Sequence, residues 1–266
     1  MSTPSVKRSV RVIKVGGRAQ SHPQLASVLT ALWAEAPGSV VVVHGGGDEV
    51  SALQRAFGVE PVFVGGRRVT AASDVDHLRM ALSGSANKRL VAALVMAGAR
   101  AVGLSGEDAG LLGATVTDQA MGRVGSPTVV NADFLEFILG GGYLPVVSPV
   151  SRDLDGDSPA TAALNVNGDD AAAALAVAVD AQELVLVSDV EGVMAKGALL
   201  PWIAPEDVAA LVADGTAAGG MAAKLDAAVA ALDGGVPRVR IGNLAAIADL
   251  DRGTVVSRAH PPAWSS

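Results

Sequence analysis

Two short β-branched runs in this chain pass straight into glycine: VRVIKVGG (residues 10–17) and VVVVHGGG (residues 40–47). The second never alternates apolar with polar residues, so neither of its faces can meet water, and it must be covered on both sides. ELVLVSDV (183–190) has the same character. Alanine-rich segments with helical spacing separate these runs, among them 23–36, 48–58, 168–179 and a stretch following GGM at 219–221. Buried strands alternating with helices predict an α/β fold whose sheet is mainly parallel and carries helices on both faces.

Ligands of such sheets gather at the carboxyl ends of the strands. Glycines there let backbone N–H groups face an anion, and a following helix adds partial positive charge. Gly16, Gly17, Gly46 and Gly47 are therefore suited to cradle phosphate or carboxylate oxygens, tight strand–helix packing without a ligand being the alternative. The loops fit neither GxxxxGK[ST] nor GxGxxG, which leaves no nucleotide fingerprint of those kinds.

Composition narrows the context. Half of the 266 residues are hydrophobic but only 3% are aromatic, so the core is built from Ala, Val and Leu. With no cysteine, disulfides and thiolate metal sites are impossible and a cytoplasmic setting is the default expectation. No apolar run reaches the roughly 18 residues of a membrane span, so no membrane partner is expected. A net charge of −7 argues against nucleic acid.

Further patterns complete the reading. DVDHLRMAL and ANKRLVAALVMAG read as two helices, residues 100–104 as a strand, and 113–130 as a hairpin outside the main sheet. Asn131 caps a helix over 131–142, followed by strands at 143–150, at PRVRIG and at GTVVS. Three charged residues stand out. Lys14 ends an otherwise apolar strand, Asp169 opens a helix in NVNGDDAA, and Lys224 lies inside a helix behind paired glycines. Two ammonium groups steered by one carboxylate would suit phosphoryl transfer, where placement and charge do most of the work.

The ordered set KVGG, VVVHGGG, GRRVT, SGSANK, NVNGDDAA, LVSDVEGV and GGMAAKL, spanning residues 11 to about 241, resembles the amino acid kinase family, and within it the N-acetylglutamate kinases. The resemblance implies a three-layer αβα sandwich around an open, mainly parallel eight-stranded sheet. It implies an N-terminal lobe (1–178) for acyl-amino-acid binding and dimerisation and a C-terminal lobe (179–266) for the nucleotide. The implied reaction is ATP-dependent phosphorylation of the side-chain carboxylate of N-acetyl-L-glutamate, the second step of arginine synthesis, with Mg²⁺ carried by the nucleotide.

By that resemblance Lys14 and Lys224 stabilise the transition state and Asp169 organises them. Gly16, Gly17 and Gly46 hold the phosphoryl group, while Gly46, Gly47, Arg68, Asn165 and Asn167 hold the substrate. Ser188, Asp189, Gly192, Val193, Thr216, Gly219 and Gly220 bind the nucleotide. Arg67 stands where the family usually has an apolar residue, and Glu107 and Ala109 where a lysine and a glycine are common; these latter two read as a variable edge of the substrate pocket. His44 reads as structural, because a carboxylate needs no base at neutral pH. A homodimer is expected and a hexamer is not, since only about ten residues, interrupted by Pro4, precede the first strand. The open alternatives are a kinase of N-succinylglutamate or an aminoadipate derivative, an inactive sensor of amino acid or nucleotide, and a dinucleotide binder.

Overall fold

The computed structural model describes residues 8–158 and 162–260. The N-terminal segment expected to hold no helix lies largely outside the described residues. Among the described residues, eleven strands form one mixed sheet. At its centre β10 (Glu183–Val187), β1 (Arg11–Val15), β2 (Val40–His44), β8 (Leu144–Asp153) and β5 (Ala101–Gly106) lie parallel in that order. β14 (Val239–Gly242) joins parallel to β10, and β15 (Thr254–Val256) turns back antiparallel beside it, with β13 (Trp202–Ile203) at the edge.

The hairpin of β6 (Leu112–Val116) and β7 (Val124–Val130) corrects the expectation that it stands outside the main sheet. β8 is ten residues long, and its far end pairs with β6 and with β9 (Ala163–Val166), drawing the hairpin into the sheet. Two small hairpins, β3–β4 (Phe63–Val64 and Arg67–Arg68) and β11–β12 (Met194–Ala195 and Ala198–Leu199), stand apart.

Successive strand residues point to opposite faces, and each face has its own core. Val12, Val41, Val43, Leu184 and Leu186 pack with α5 (Ala132–Gly140), α6 (Gly168–Ala178), α7 (Val208–Ala213) and α8 (Gly220–Asp233). Ile13, Val15, Val40, Val42, Val185 and Val187 pack against Leu25, Leu29 and Trp33 of α1 (Leu25–Glu35) and against Leu90 and Leu94. Every residue of β2 and β10 is buried, which explains why neither alternates in sequence.

The two helices read from 74–98 are one continuous helical run: α3 (Val75–Leu78), a π-helical stretch (Arg79–Ala86) and α4 (Asn87–Met96). The widened turns face α2 (Gly47–Ala56) and bring Leu82 and Ala86 against the second glycine loop. Such π segments recur where a helix must aim side chains at a site.

Candidate active site

Parity along the strands decides which side chains meet. Lys14 pairs in register with Val43, so it leaves the sheet on the α6 face, whereas His44 leaves on the α4 face. α6 begins directly across from Lys14. The Asn167 side chain caps it, accepting from the Asp169 amide at 2.8 Å, and this fixes Asp169 in the first turn, where a carboxylate is favoured.

Asp169 bridges both lysines. Lys14 Nζ lies 2.9 Å from its Oδ1 and Lys224 Nζ 3.1 Å from its Oδ2. All three are nearly sealed from solvent. Burial pushes the Asp169 carboxyl up, but the two ammonium charges outweigh it and hold the group below the usual carboxylate range. Burial, joined by the charge of Lys14, pulls Lys224 below the ordinary lysine value, and Asp169 only partly offsets this. A proton-poor carboxylate gripping two costly ammoniums is a site built for additional negative charge.

Gly16 is required for that geometry, since a Cβ there would stand 2.6 Å from Lys14 Nζ. Gly17 starts a 3-10 turn, Gly17–Ser21. Gly46 sits at φ +149°, and its missing Cβ would meet Leu82 Cδ2 at 2.7 Å. The glycine at 46 is thus demanded by backbone conformation and by the π-helical packing. Gly47 opens α2.

A cavity of about 250 Å³ borders Lys14 and Asp169, while Lys224 and Gly17 lie outside its lining. Lys14, Asp169, Gly16, Gly46, Gly47 and Gly168 line one part of it, and Arg67, Arg68, Asn165 and Asn167 another. Arg68 is buried beneath the β3–β4 hairpin. It donates to Gln54 Oε1, to the Gly47 carbonyl at 2.8 Å and to Ser51 Oγ at 2.8 Å, and lies over the Phe63 ring. Gln54 in turn donates to buried Asp74. Desolvation lowers the Arg68 pKa from its ordinary value. Asn165 donates to Thr70 Oγ1 at 2.9 Å. Arg67, whose role the sequence left open, reaches Asp170 on α6 at 2.7 Å.

The expected nucleotide residues divide. Gly219, at φ +53°, and Gly220 begin α8, are exposed, and have nothing within 4 Å of a would-be Cβ. Thr216 donates its amide to Asp214 in the preceding turn. Gly192 and Val193 are instead packed inward: a Cβ on Gly192 would strike Leu199 and Thr254 at 2.6 Å, and Val193 is fully buried with its amide bonded to Thr254. Ser188 and Asp189 line a separate cavity of about 540 Å³ with His22, Gln24 and Asn243. Glu107 does not border the Lys14 cavity; it pairs with Arg79 of the π segment at 2.6 Å.

Sequence reading missed Ser51, Gln54, Thr70 and Asp170, which touch Arg68, Asn165 or Arg67, and Asp74, which holds Gln54. Spacing offered one signal: Gly47, Ser51 and Gln54 fall on one face of α2.

Among curated proteins, the acetylglutamate kinase of Roseiflexus castenholzii is 39% identical over 259 residues, covering 96% of this chain and 97% of that protein. The acetylglutamate kinase of Chloroflexus aurantiacus is 42% identical over 245 residues, covering 91% and 94%. Among solved structures, smu.665 from Streptococcus mutans superposes with a TM-score of 0.84 at 29% identity, covering 94% of this chain and 99% of that one. The family model described as the amino acid kinase family matches residues 9–243, and the chain belongs to that family.

Proposed function

We propose that this protein transfers the γ-phosphoryl group of ATP to the side-chain carboxylate of N-acetyl-L-glutamate, giving an acyl phosphate and ADP in the second step of arginine synthesis. The observation that carries this reading is Asp169 holding Lys14 and Lys224 together beside a cavity that also presents Arg68. Relatives about 40% identical over nearly the whole chain bear the name of that enzyme.

In this reading a carboxylate oxygen attacks the γ-phosphorus while the bond to the β–γ bridging oxygen breaks, and ADP leaves with that electron pair. No proton need move. Lys14 and Lys224 balance charge on the transferred group from two directions. Gly16, Gly17 and Gly46 offer amides to it. Arg68 meets the substrate's α-carboxylate: three of its N–H donors are engaged, leaving two of the five a guanidinium carries. Asn165, Asn167 and Gly47 frame the same ligand. Gly219, Gly220 and Thr216, with Ser188, Asp189, Gly192 and Val193 shaping the floor, make the nucleotide side. Among the described residues no trio of His, Asp or Glu could hold a metal ion, and both Asp169 oxygens face ammoniums. Mg²⁺ would arrive on the nucleotide's phosphates, where it would neutralise charge.

The finer architecture is proposed with it: an αβα sandwich with a mainly parallel eight-stranded centre, an acyl-amino-acid and dimerisation lobe over 1–178 and a nucleotide lobe over 179–266. Exposed Met96, Phe137 and Tyr143 supply apolar surface for a cytoplasmic homodimer. N-acetylglutamate, N-succinylglutamate, N-acetylaminoadipate and free glutamate, each with MgATP, test the assignment, with acyl phosphate trapped by hydroxylamine. N-acetylglutamate should give the highest kcat/KM. Preference for another acyl amino acid would reassign the substrate, and nucleotide binding without turnover of any would favour a sensor.

A further inference from the structure

We propose that His44 is a positioning residue that turns the Gly46 amide toward the transferred phosphoryl group. The proposal rests on the phosphoryl-transfer reading above and adds a residue to its machinery.

His44 is fully buried at the end of β2. Its parity sends it to the α4 face, away from Lys14. There it makes two hydrogen bonds. Nδ1 lies 2.7 Å from the Gly45 carbonyl, and Nε2 lies 3.0 Å from Asn87 Nδ2. Asn87 Nδ2 also meets the Val146 carbonyl at 2.8 Å, and Asn87 Oδ1 accepts from Lys88 Nζ at 3.0 Å. The Asn87 amide nitrogen is therefore the donor toward His44, so Nε2 accepts. The remaining proton sits on Nδ1 and is donated to the Gly45 carbonyl. Burial, the largest influence, together with the charges of Lys88 and Lys14, keeps the ring below its ordinary pKa, against the pull of Gly45 and of Glu49 on α2.

The consequence lies in the next peptide. The bond between Gly45 and Gly46 is trans, so the Gly46 N–H points opposite to the Gly45 C=O. Anchoring the carbonyl toward the α4 face drives the N–H toward the other side, where Gly46 borders the Lys14 cavity. Gly46 precedes the first turn of α2, so its amide has no place in that helix's own ladder. Because Gly45 and Gly46 resist no rotation of their own, an unanchored peptide would be free to flip and present a carbonyl where a donor is needed. His44 thus sets the donor without touching the reactants.

The test uses two amides of different length. Asn places its side-chain N–H where a histidine carries Nδ1, and Gln places its polar atoms where a histidine carries Nε2. His44→Asn keeps the bond to Gly45, whereas His44→Gln keeps only the partner for Asn87. The proposal expects His44→Asn to hold kcat within about threefold and His44→Gln to lose about 30-fold or more in kcat, with KM for the acyl amino acid within about twofold in both. Equal kcat in the two, or a loss confined to KM, overturns it.

A second readout needs neither variant nor activity. In ¹H–¹⁵N spectra of the wild-type protein, His44 should carry its proton on Nδ1, and adding a non-hydrolysable ATP analogue with Mg²⁺ should shift the Gly46 amide. A proton on Nε2, or an unmoved Gly46 amide, overturns the proposal. Absence of turnover in the wild type together with the Nδ1 tautomer and a shifted Gly46 would retire the choice of reaction and leave the anchoring intact.

Discussion

The guanidinium of Arg67 lies 2.7 Å from the carboxylate of Asp170, tying the β3–β4 hairpin to the helix turn that presents Asp169. The neighbours of this pair are the two residues read as most consequential: Arg68 follows Arg67, and Asp169 precedes Asp170. One ion pair therefore fixes the spacing between the substrate clamp and the lysine organiser. Burial raises the Asp170 pKa and Arg67 opposes that rise. Because the arginine is more than a third exposed, the pair is worth only about 1 kcal/mol. Arg67→Leu should raise KM for the acyl amino acid about fivefold while kcat changes less. Arg67→Asp combined with Asp170→Arg should recover part of that loss in steady-state kinetics, and a double variant worse than both singles would deny the pair its role.

Asp169 and its lysines predict a split between turnover and binding. Lys224→Ala removes a charge that matters most in the transition state, so kcat should fall by about 10² or more with little change in KM. The lowered Lys224 pKa adds a pH signature. The ammonium is the working form, so kcat/KM should decline as pH rises through a value below the ordinary lysine pKa of 10.5. Lys224→Arg should remove that alkaline limb. Asp169 acts at the opposite end of the scale. Its depressed pKa contributes stability that is present above its ordinary value of 3.8 and is lost as pH falls through the lower folded value. Thermal melts of wild type and Asp169→Asn should therefore differ at neutral pH, by about 3 kcal/mol, and converge in acid.

Gly16→Ala tests the glycine loop without threatening the fold. The new methyl would meet Lys14 Nζ at 2.6 Å, and the mobile end of a lysine is what yields. The melting temperature should fall less than in Asp169→Asn, because Lys224 still pairs with Asp169, but the Lys14 ammonium would be displaced and kcat should fall about tenfold or more. Full activity in this variant would show that the placement of Lys14 is not critical.

The parts of this molecule that could be read beforehand are those in which a local rule has a single outcome. A strand such as residues 40–44, apolar at every step, has to be buried on both faces, and Asn131 before an apolar helix has to be its cap. Lys14 was legible because a charge at the end of a buried strand needs a partner, and Asp169 because a helix start favours a carboxylate; Lys224 was legible only through the family's motif, and only folding puts both ammoniums within 3.1 Å of Asp169. The sheet's size was not legible. β8 extends to ten residues, so its far end recruits the β6–β7 hairpin, and no residue of that hairpin announces this. The π segment was hidden because its sequence has ordinary helical spacing and its widened turns answer to the glycine loop it packs on. At Gly192 the sequence showed a glycine but not its neighbour: glycine marks a close approach, and the group that approaches here is Thr254, part of the protein itself.

Ala109 carries the last prediction. It occupies φ +52° between β5 and β6, the left-handed region in which a Cβ crowds the following carbonyl. Its conformation is enforced from outside, because the Asn131 side chain donates to the Ala109 carbonyl at 2.9 Å while also capping α5. The strain for an L-residue there is about 1–2 kcal/mol, and glycine gives back about 0.5–1 kcal/mol of it through its freer unfolded chain. Ala109→Gly should therefore stabilise the fold by about 0.5–1 kcal/mol, seen as a rise in urea midpoint at unchanged m-value. Activity should not move, since Ala109 does not border the Lys14 cavity. Ala109→Val should do the reverse and destabilise, because a β-branched residue tolerates positive φ least. If glycine lowered the midpoint instead, this turn would not hold the left-handed conformation in solution.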